Sequence, residues 1–127
     1  MITVVPPVVL DGDGDFEIYP TVVAACQSVE PDDVELFEVF DSVGHRFVLV
    51  PNGMTVSIEE RADSRADPAE LERRLRSYLH SSGLARFGFV TLDDASLALM
   101  LGAVLSYQRG EKPRKVPFWR GRRIGSS

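Results

Sequence analysis

The chain has 127 residues, of which 44% are hydrophobic and 26% are charged, which predicts one globular domain and excludes a second independent core. A single cysteine excludes an internal disulfide bond and favours a reducing, cytoplasmic location. The first residues lack the basic region of a secretion signal and Asp11 interrupts the apolar run that follows, so we expect neither export nor a membrane anchor.

The net charge of −5 averages two segments of opposite sign. Residues 1–108 contain seven basic and 18 acidic residues, a net charge of −11, whereas residues 109–127 contain seven basic residues and one acidic residue, a net charge of +6. An acidic body repels phosphate backbones and attracts basic partners, so we do not expect it to bind nucleic acid. We interpret residues 1–108 as one domain and residues 109–127 as a basic, flexible tail.

The chain begins with two predicted strands. Residues 3–10 are apolar and β-branched but contain Pro6-Pro7, which indicates an edge strand or an extended arm with its useful part at Val8–Leu10. The Asp-Gly pairs that follow favour a turn, and Phe16–Tyr19 predicts a short returning strand. A helix of about three turns is then expected from Pro20 to Glu30.

The segment from residue 35 to residue 60 predicts three antiparallel strands joined by two tight turns. Gly44 suits the left-handed position of a type I turn, and Asn52-Gly53 is typical of a two-residue type I′ turn. This register pairs Phe47 with Val39 and Ile58, and pairs Leu49 with Phe37 and Val56. The six residues of one apolar face are Phe37, Val39, Phe47, Leu49, Val56 and Ile58.

The opposite face of these strands carries Phe40 with Arg46 and Glu59 beside it, together with Leu36 and Val50. It is too apolar for a fully hydrated sheet face. We expect the first helix or the amino-terminal strand to cover it. Left uncovered, it would form a recognition surface with an aromatic anchor and a charged rim.

Two longer helices are predicted in the second half of the chain. Asp67 caps the first, with Pro68 at the first helical position and Glu70 placed to complete a capping box. Its apolar stripe is expected to lie across the apolar face of the three strands. Residues 86–90 are expected to be extended, and the second helix is expected to run from Thr91 to about Gln108. Because that helix is apolar on nearly every side, it is either a core helix or half of a homodimer interface.

The acidic run at residues 11–17 is the first candidate for chemistry. Alternating carboxylates after an apolar strand suit a Ca²⁺ or Mg²⁺ site formed by Asp11, Asp13 and Asp15. The run also resembles the Asp-x-Asp of haloacid-dehalogenase phosphotransferases, which would make Asp11 the nucleophile and Asp13 the acid/base. Asp15 stands where that family carries Thr or Val, and an antiparallel sheet is the wrong scaffold. We therefore interpret the run as a hydrated turn, with a metal-dependent phosphoryl-transfer enzyme as the alternative.

The basic tail is the second candidate site. Its aromatic and basic residues have the composition of a nucleic-acid or anion contact: Arg114, Lys115, Trp119, Arg120, Arg122 and Arg123. The interpretation we favour is a disordered tail, or one that folds back on its own acidic body, because that body repels phosphate.

The pattern from Ile18-Tyr19-Pro20 through Glu30-Pro31 to the Phe40-Asp41…Gly44 turn resembles small bacterial α+β proteins of unassigned function. These include immunity proteins that accompany polymorphic or contact-dependent toxins. The resemblance extends over about residues 19–79. It implies one-to-one binding of a toxin domain through acidic groups that face a basic surface.

The sequence therefore predicts an α+β fold, in which an antiparallel meander of three to five strands packs against two or three helices. We expect no catalytic residues and no cofactor, but a non-enzymatic protein-binding module. The residues expected to contact the partner are Asp32, Asp33, Glu35, Glu38, Phe40, Arg46 and Glu59. A homodimeric scaffold joined through residues 91–108 is a further alternative.

Overall fold

The fold is a five-stranded antiparallel sheet with helices on both faces. The computed structural model describes residues 3–61 and 65–110. In chain order the elements are β1 (Val8–Gly12), β2 (Asp15–Tyr19), α1 (Val22–Gln27), the 3₁₀ helix η1 (Pro31–Leu36), β3 (Glu38–Phe40), β4 (Arg46–Asn52), β5 (Thr55–Glu60), α2 (Pro68–Ser82), the 3₁₀ helix η2 (Leu84–Phe87) and α3 (Leu97–Gln108). The strand order in the sheet is β2-β1-β3-β4-β5. The predicted α+β class is confirmed.

Both faces of the sheet bury side chains, which produces two cores. The back face, covered by α1 and η1, holds the six residues predicted to share one side: Val39, Phe47, Leu49 and Val56 are buried, and Phe37 and Ile58 are partly buried. The front face, covered by α2 and α3, holds Val9, Phe16, Ile18 and Phe40 against the apolar stripe of α2. The prediction that α2 lies on the six-residue face is therefore wrong.

The strand β1 lies inside the sheet, between β2 and β3, and is not an edge strand as predicted. The Pro6-Pro7 pair precedes the strand, so it removes no hydrogen bond from the ladder. Val8, Val9 and Leu10 are fully buried because helices cover both sides of this strand. Its continuous apolar run is typical of a strand that is buried on both faces.

The helix α1 packs on the back face of the sheet. It contacts the edge strand β5, and it also contacts β1 and β2, the strand that precedes it in the chain. Ala25 of α1 is buried among the residues of the back face. The helices α2 and α3 pack on the front face.

The hairpin of β4 and β5 keeps the predicted faces but not the predicted register. Asn52 pairs with Thr55, so Gly53 and Met54 form the two-residue turn instead of Asn52 and Gly53. The pairing is shifted by two residues and joins Leu49 to Ile58. Because side chains alternate with a period of two, a two-residue shift returns each one to the same face. The pairing of Val39 with Phe47 is confirmed.

The first helix is shorter than predicted, and a 3₁₀ helix replaces the start of the meander. Thr21 caps α1, with its hydroxyl oxygen 3.0 Å from the backbone nitrogen of Ala24. Pro31 then begins η1, which continues through Leu36. As a result β3 contains only three residues, and Leu36 does not lie on the sheet.

The last helix begins six residues later than predicted. The hydroxyl of Thr91 accepts a hydrogen bond from Asp93, which makes a local turn, and Ser96 caps α3 by accepting from Leu99. Arg76 of α2 holds the intervening loop by donating to the carbonyl oxygens of Leu92 and Ala95. Residues 84–87 form η2, so the expected extended segment at 86–90 is not observed.

A buried aspartate ties the meander to α2. Asp41 is fully buried, and its carboxylate accepts hydrogen bonds from the backbone N–H groups of Val5, Val43 and His45. The neighbouring Gly44 carbonyl accepts from Asp67, the predicted cap of α2. Asp67 in turn accepts from Glu70 at 3.1 Å, which confirms the cap.

Candidate protein-binding surface

The predicted partner-binding residues fall into two groups around the β4–β5 hairpin. Glu38, Phe40, Arg46 and Glu59 belong to strands and share the front face of the sheet. Asp32, Asp33 and Glu35 belong to η1, which packs against β4 and β5 from the back. The structure therefore brings the two groups to one end of the sheet but on opposite faces.

A charged cluster stands on the front face, where α2 crosses the sheet. Arg74 of α2 donates to three carboxylates: to Asp11 at 3.0 Å, to Glu38 at 2.8 Å and to Glu70 at 2.6 Å. Its guanidinium carbon lies 5.1 Å from the centre of the Phe40 ring, and that of Arg46 lies at the same distance. Arg46 also approaches Glu38 at 3.5 Å. These contacts join strands β1, β3 and β4 to the helix through charge-assisted hydrogen bonds and cation–π contacts.

Protonation equilibria reflect this pairing. Hydrogen bonds from Arg73 and Arg74 lower the pKa of Glu70 to about 2. The hydrogen bond from Arg74 likewise lowers the pKa of Glu38. Burial opposes the charge of Arg74, but its three carboxylate partners raise its pKa above the ordinary value. Glu38, Glu70 and Arg74 are therefore ionised and paired with one another at neutral pH.

Phe40 is not an exposed anchor, because its side chain is 0% exposed. Leu71 and Leu75 of α2 belong to the same core, and the two guanidinium groups lie over its ring. The prediction that the first helix or the amino-terminal strand covers Phe40 is wrong, because α2 covers it. The role of Arg74 is not predictable from short-range patterns, because none of them places it on the sheet, although the Glu70–Arg74 spacing shows that these two residues can pair.

Beyond this cluster the front face of the hairpin is partly exposed: the closer contacts of α2 and α3 with the sheet are at β2, and α2 approaches β4 where Glu70 lies 3.9 Å from Arg46. Val48 pairs with Glu59 across the hairpin, and Val50 pairs with Ser57. Val48 is 40% exposed, and Val50 and Ser57 are partly exposed. At the hairpin tip, Met54 is 94% exposed.

The η1 side of the hairpin is acidic and carries an exposed leucine. Asp32, Asp33 and Glu35 are exposed, and Leu36 is 64% exposed. Within the described part of the chain, no Arg lies within salt-bridge distance of these three carboxylates. The first 45 residues contain ten acidic residues and no Lys or Arg, so the segment of the chain that carries η1 is acidic throughout. An acidic surface with an apolar residue at its edge is complementary to a basic protein surface.

The predicted cation site is not assembled. Asp11 is buried, with one carboxylate oxygen bonded to the backbone of Gly14 and the other to Arg74. Asp13 and Asp15 are exposed on the turn that follows. Among residues 3–61 and 65–110, no three His, Cys, Asp or Glu side chains are grouped so that they could hold a metal ion. Arg74 lies 3.0 Å from the carboxylate of Asp11, so one of the three predicted ligands already has a cationic partner.

The predicted nucleic-acid contacts lie outside the described residues: Arg114, Lys115, Trp119, Arg120, Arg122 and Arg123. The helix α3 ends at Gln108, where the predicted domain ends. No described helix has the length and apolar character needed to cross a membrane.

Comparison with protein-family models, with curated proteins and with solved structures finds no match to this chain. The features that bear on function are therefore the exposed acidic residues of η1 and the exposed apolar residues of the β4–β5 hairpin.

Proposed function

We propose that this chain is a non-enzymatic protein-binding module that binds a basic protein partner through η1 and the β4–β5 hairpin. The observation that carries the proposal is the set of exposed carboxylates Asp32, Asp33 and Glu35, which form no ion pair with another described residue and lie beside the exposed side chain of Leu36. Met54 adds exposed apolar area at the tip of the hairpin. Apolar residues supply contact area, and the acidic rim supplies attraction and selectivity.

The resemblance to toxin immunity proteins supports a more specific role in the same proposal. A protein that neutralises a nuclease-type toxin must cover a basic surface, and the acidic side of this chain has the required sign. The single cysteine is compatible with the cytoplasm, where such a protein would meet its partner. Co-expression with the product of a neighbouring gene tests this role, because growth should recover only if the chain binds and neutralises that product.

Binding is tested by reversing the three charges of η1. The Asp32→Lys, Asp33→Lys, Glu35→Lys variant and the full-length native chain are immobilised and exposed to lysate from the host. A matched control reverses Asp93 and Asp94, which are exposed acids in the loop before α3. We expect the native chain and the control to retain the same basic protein, and the η1 variant to bind it at least about tenfold more weakly.

The proposal is tested further by measuring how retention of the partner depends on ionic strength and on the η1 charges. Retention should fall as ionic strength rises, because rim charges act through long-range attraction. No retained protein, or equal retention by the native chain and the η1 variant, would show that this surface does not bind a partner.

A homodimer is the second candidate, because α3 has an exposed apolar side. Leu99 is 47% exposed, and Ala98 and Gly102 are exposed next to it, whereas Met100, Leu101 and Val104 are buried. Residues 91–108 would then join two copies of a scaffold. Light scattering of the native chain and of Leu99→Glu tests it: a native dimer that becomes a monomer supports the homodimer, and a native monomer removes it.

A further inference from the structure

The outer side of α3 is exposed and carries no charge. Ala98 and Gly102 are exposed on this side and Leu99 is 47% exposed, whereas the other side of the helix packs against the front face of the sheet. Residues 95–108 contain no Asp, Glu, Lys, Arg or His, although residues 1–108 carry a net charge of −11. A second copy therefore meets no charge of its own sign along this helix, unlike on the acidic side that carries η1.

Gly102 stands in the middle of this side, at a position where no contact among the described residues requires a glycine. No described atom lies within 4 Å of a Cβ added at Gly102, and its φ is not among the positive values that favour glycine. Glycine inside a helix is destabilising relative to alanine, so the fold of one copy does not account for it. Ala98 and Ser106 lie four residues to either side of Gly102, on the same side of the helix. The absence of large side chains at these three positions allows another helix to approach closely.

The two ends of α3 carry opposite charges. Asp93 and Asp94 are exposed in the loop before the helix, and Arg109 is exposed directly after it. Asp94 lies eight residues before Gly102, and Arg109 lies seven residues after it. In an antiparallel pair of α3 helices that meet at Gly102, the acidic end of each copy therefore lies beside the basic end of the other. The helix is complementary to itself in this arrangement, because a two-fold axis repeats each contact.

We propose that two copies of this chain associate through the outer sides of their α3 helices, as an antiparallel pair whose two-fold axis passes near Gly102. Ala98 of each copy faces Ser106 of the other. Asp94 of each copy pairs with Arg109 of the other. The inference rests on the homodimer named above as the second candidate, and it gives that dimer an interface and a direction. It does not depend on partner binding through η1, because η1 packs on the back face and α3 on the front face.

The close approach at Gly102 is tested by sedimentation equilibrium of the full-length chain, which measures the dissociation constant of the pair. We expect this constant to be at least about tenfold larger for Gly102→Gln, because the added side chain keeps the two helices apart. Ala69→Gln, at the exposed start of α2, is the matched control and should leave the constant unchanged.

The fold of a single copy should tolerate both substitutions at Gly102. Gln and Ala favour helix more than Gly does, and the space around the added Cβ is open. Gly102→Ala should therefore raise the dissociation constant less than Gly102→Gln does, and should raise the urea midpoint of the monomer. Far-ultraviolet circular dichroism identifies a variant that fails to fold.

The antiparallel direction is tested by reversing the charges at the ends of α3. Asp94→Lys and Arg109→Glu should each raise the dissociation constant about fivefold at low ionic strength, because each places like charges together at both ends of the pair. The double variant Asp94→Lys, Arg109→Glu restores opposite charges and should regain most of the native affinity. In a parallel pair neither single variant would create a new repulsion, so the dissociation constants would not change.

Three results would overturn the proposal, and each has a different consequence for the proposed function. A native chain that stays monomeric at the highest concentration reached removes the homodimer as well, but not partner binding through η1. A dimer that Gly102→Gln leaves unchanged forms through another surface. A double variant that binds no more tightly than the two single variants shows that the acidic and basic ends do not meet.

Discussion

Gly44 is the residue at which the meander and α2 approach most closely. Its φ is +87°, and a Cβ at this position would lie 2.6 Å from backbone atoms of Asp67 and Pro68. Backbone atoms at a helix start cannot move aside as a side chain can. The glycine is therefore required both for its conformation and for space.

We predict that Gly44→Ala lowers the free energy of unfolding by about 3 kcal/mol or more, because conformational strain and a backbone clash add. Gly53→Ala is the matched control. Gly53 also has a positive φ, +66°, but no atom lies within 4 Å of its added Cβ, so only about 1 kcal/mol of strain is expected. Urea denaturation of both variants measures the difference, and equal losses would contradict the close approach.

Arg74 forms ion pairs with three carboxylates, those of Asp11, Glu38 and Glu70. Removing it by Arg74→Met leaves Asp11 buried without its cationic partner and Glu38 and Glu70 without a shared one. We predict a loss of about 3 kcal/mol of unfolding free energy, as for one partner removed from a buried pair.

The control for Arg74 is its neighbour. Arg73 also bonds to Glu70, but its side chain is 69% exposed, so Arg73→Met should change stability far less than Arg74→Met does. Denaturant titration of Arg74→Met and Arg73→Met measures the loss of unfolding free energy in each variant. Similar effects would mean that the cluster contributes to stability only as surface charge.

At the level of elements, the two edges of the sheet are protected by different means. The edge strand β5 is contacted by α1. The edge strand β2 is closed at Ile18 by the side-chain amide of Gln108, which provides one donor and one acceptor as a neighbouring strand would. Unpaired edge groups are a route to aggregation, so this contact protects the sheet.

We predict that Gln108→Glu, which keeps the acceptor but loses the donor, costs about 1–2 kcal/mol because the carbonyl of Ile18 then faces a carboxylate. Because a carboxylate that accepts from the Ile18 N–H brings its second oxygen against the Ile18 carbonyl, the repulsion should separate residue 108 from the strand, and amide hydrogen exchange at Ile18 should accelerate relative to that at Val9 on the interior strand. Gln27→Glu, at the exposed end of α1, is the control and should leave both rates unchanged. Unchanged exchange at Ile18 in Gln108→Glu would show that the two hydrogen bonds between Gln108 and Ile18 do not protect the edge of the sheet.

At the level of the whole molecule, acid should destabilise the fold through the front-face cluster. The pKa of Glu70 is about 2 in the folded chain and 4.5 for the ordinary group, and the pKa of Glu38 is also lowered. A carboxyl group with a lower pKa in the folded state stabilises it fully above the unfolded pKa. That contribution is lost as the pH falls towards the folded pKa.

We therefore predict that stability falls progressively from about pH 4.5 to about pH 2. The urea midpoint measured across this range should decrease in the native chain and should decrease less in Glu70→Gln. Identical pH profiles for the two chains would contradict the assignment of this dependence to Glu70.

The sequence by itself determined the local features of this protein. Short-range rules placed the cap at Asp67, the stripe of α2, the turn at Gly44 and the shared face of six strand residues. Each depends on residues a few positions apart, through the periods of 3.6 and 2 and through turn geometry. The same rules misplaced the start of α3, because Thr91 and Ser96 both have capping side chains and only the packing of the loop on Arg76 selects Ser96.

Tertiary structure alone decided which helix covers which face, and hence which residues are accessible. The helix α1 packs on the back face, whereas α2 packs on the opposite face, where it buries Phe40 and brings Arg74 onto Asp11 and Glu38. Those contacts join residues 36 and 63 positions apart, and no short-range pattern specifies them. The acids of η1 lie behind the hairpin and are exposed, whereas Arg46 and Arg74 pack over Phe40 on the front face.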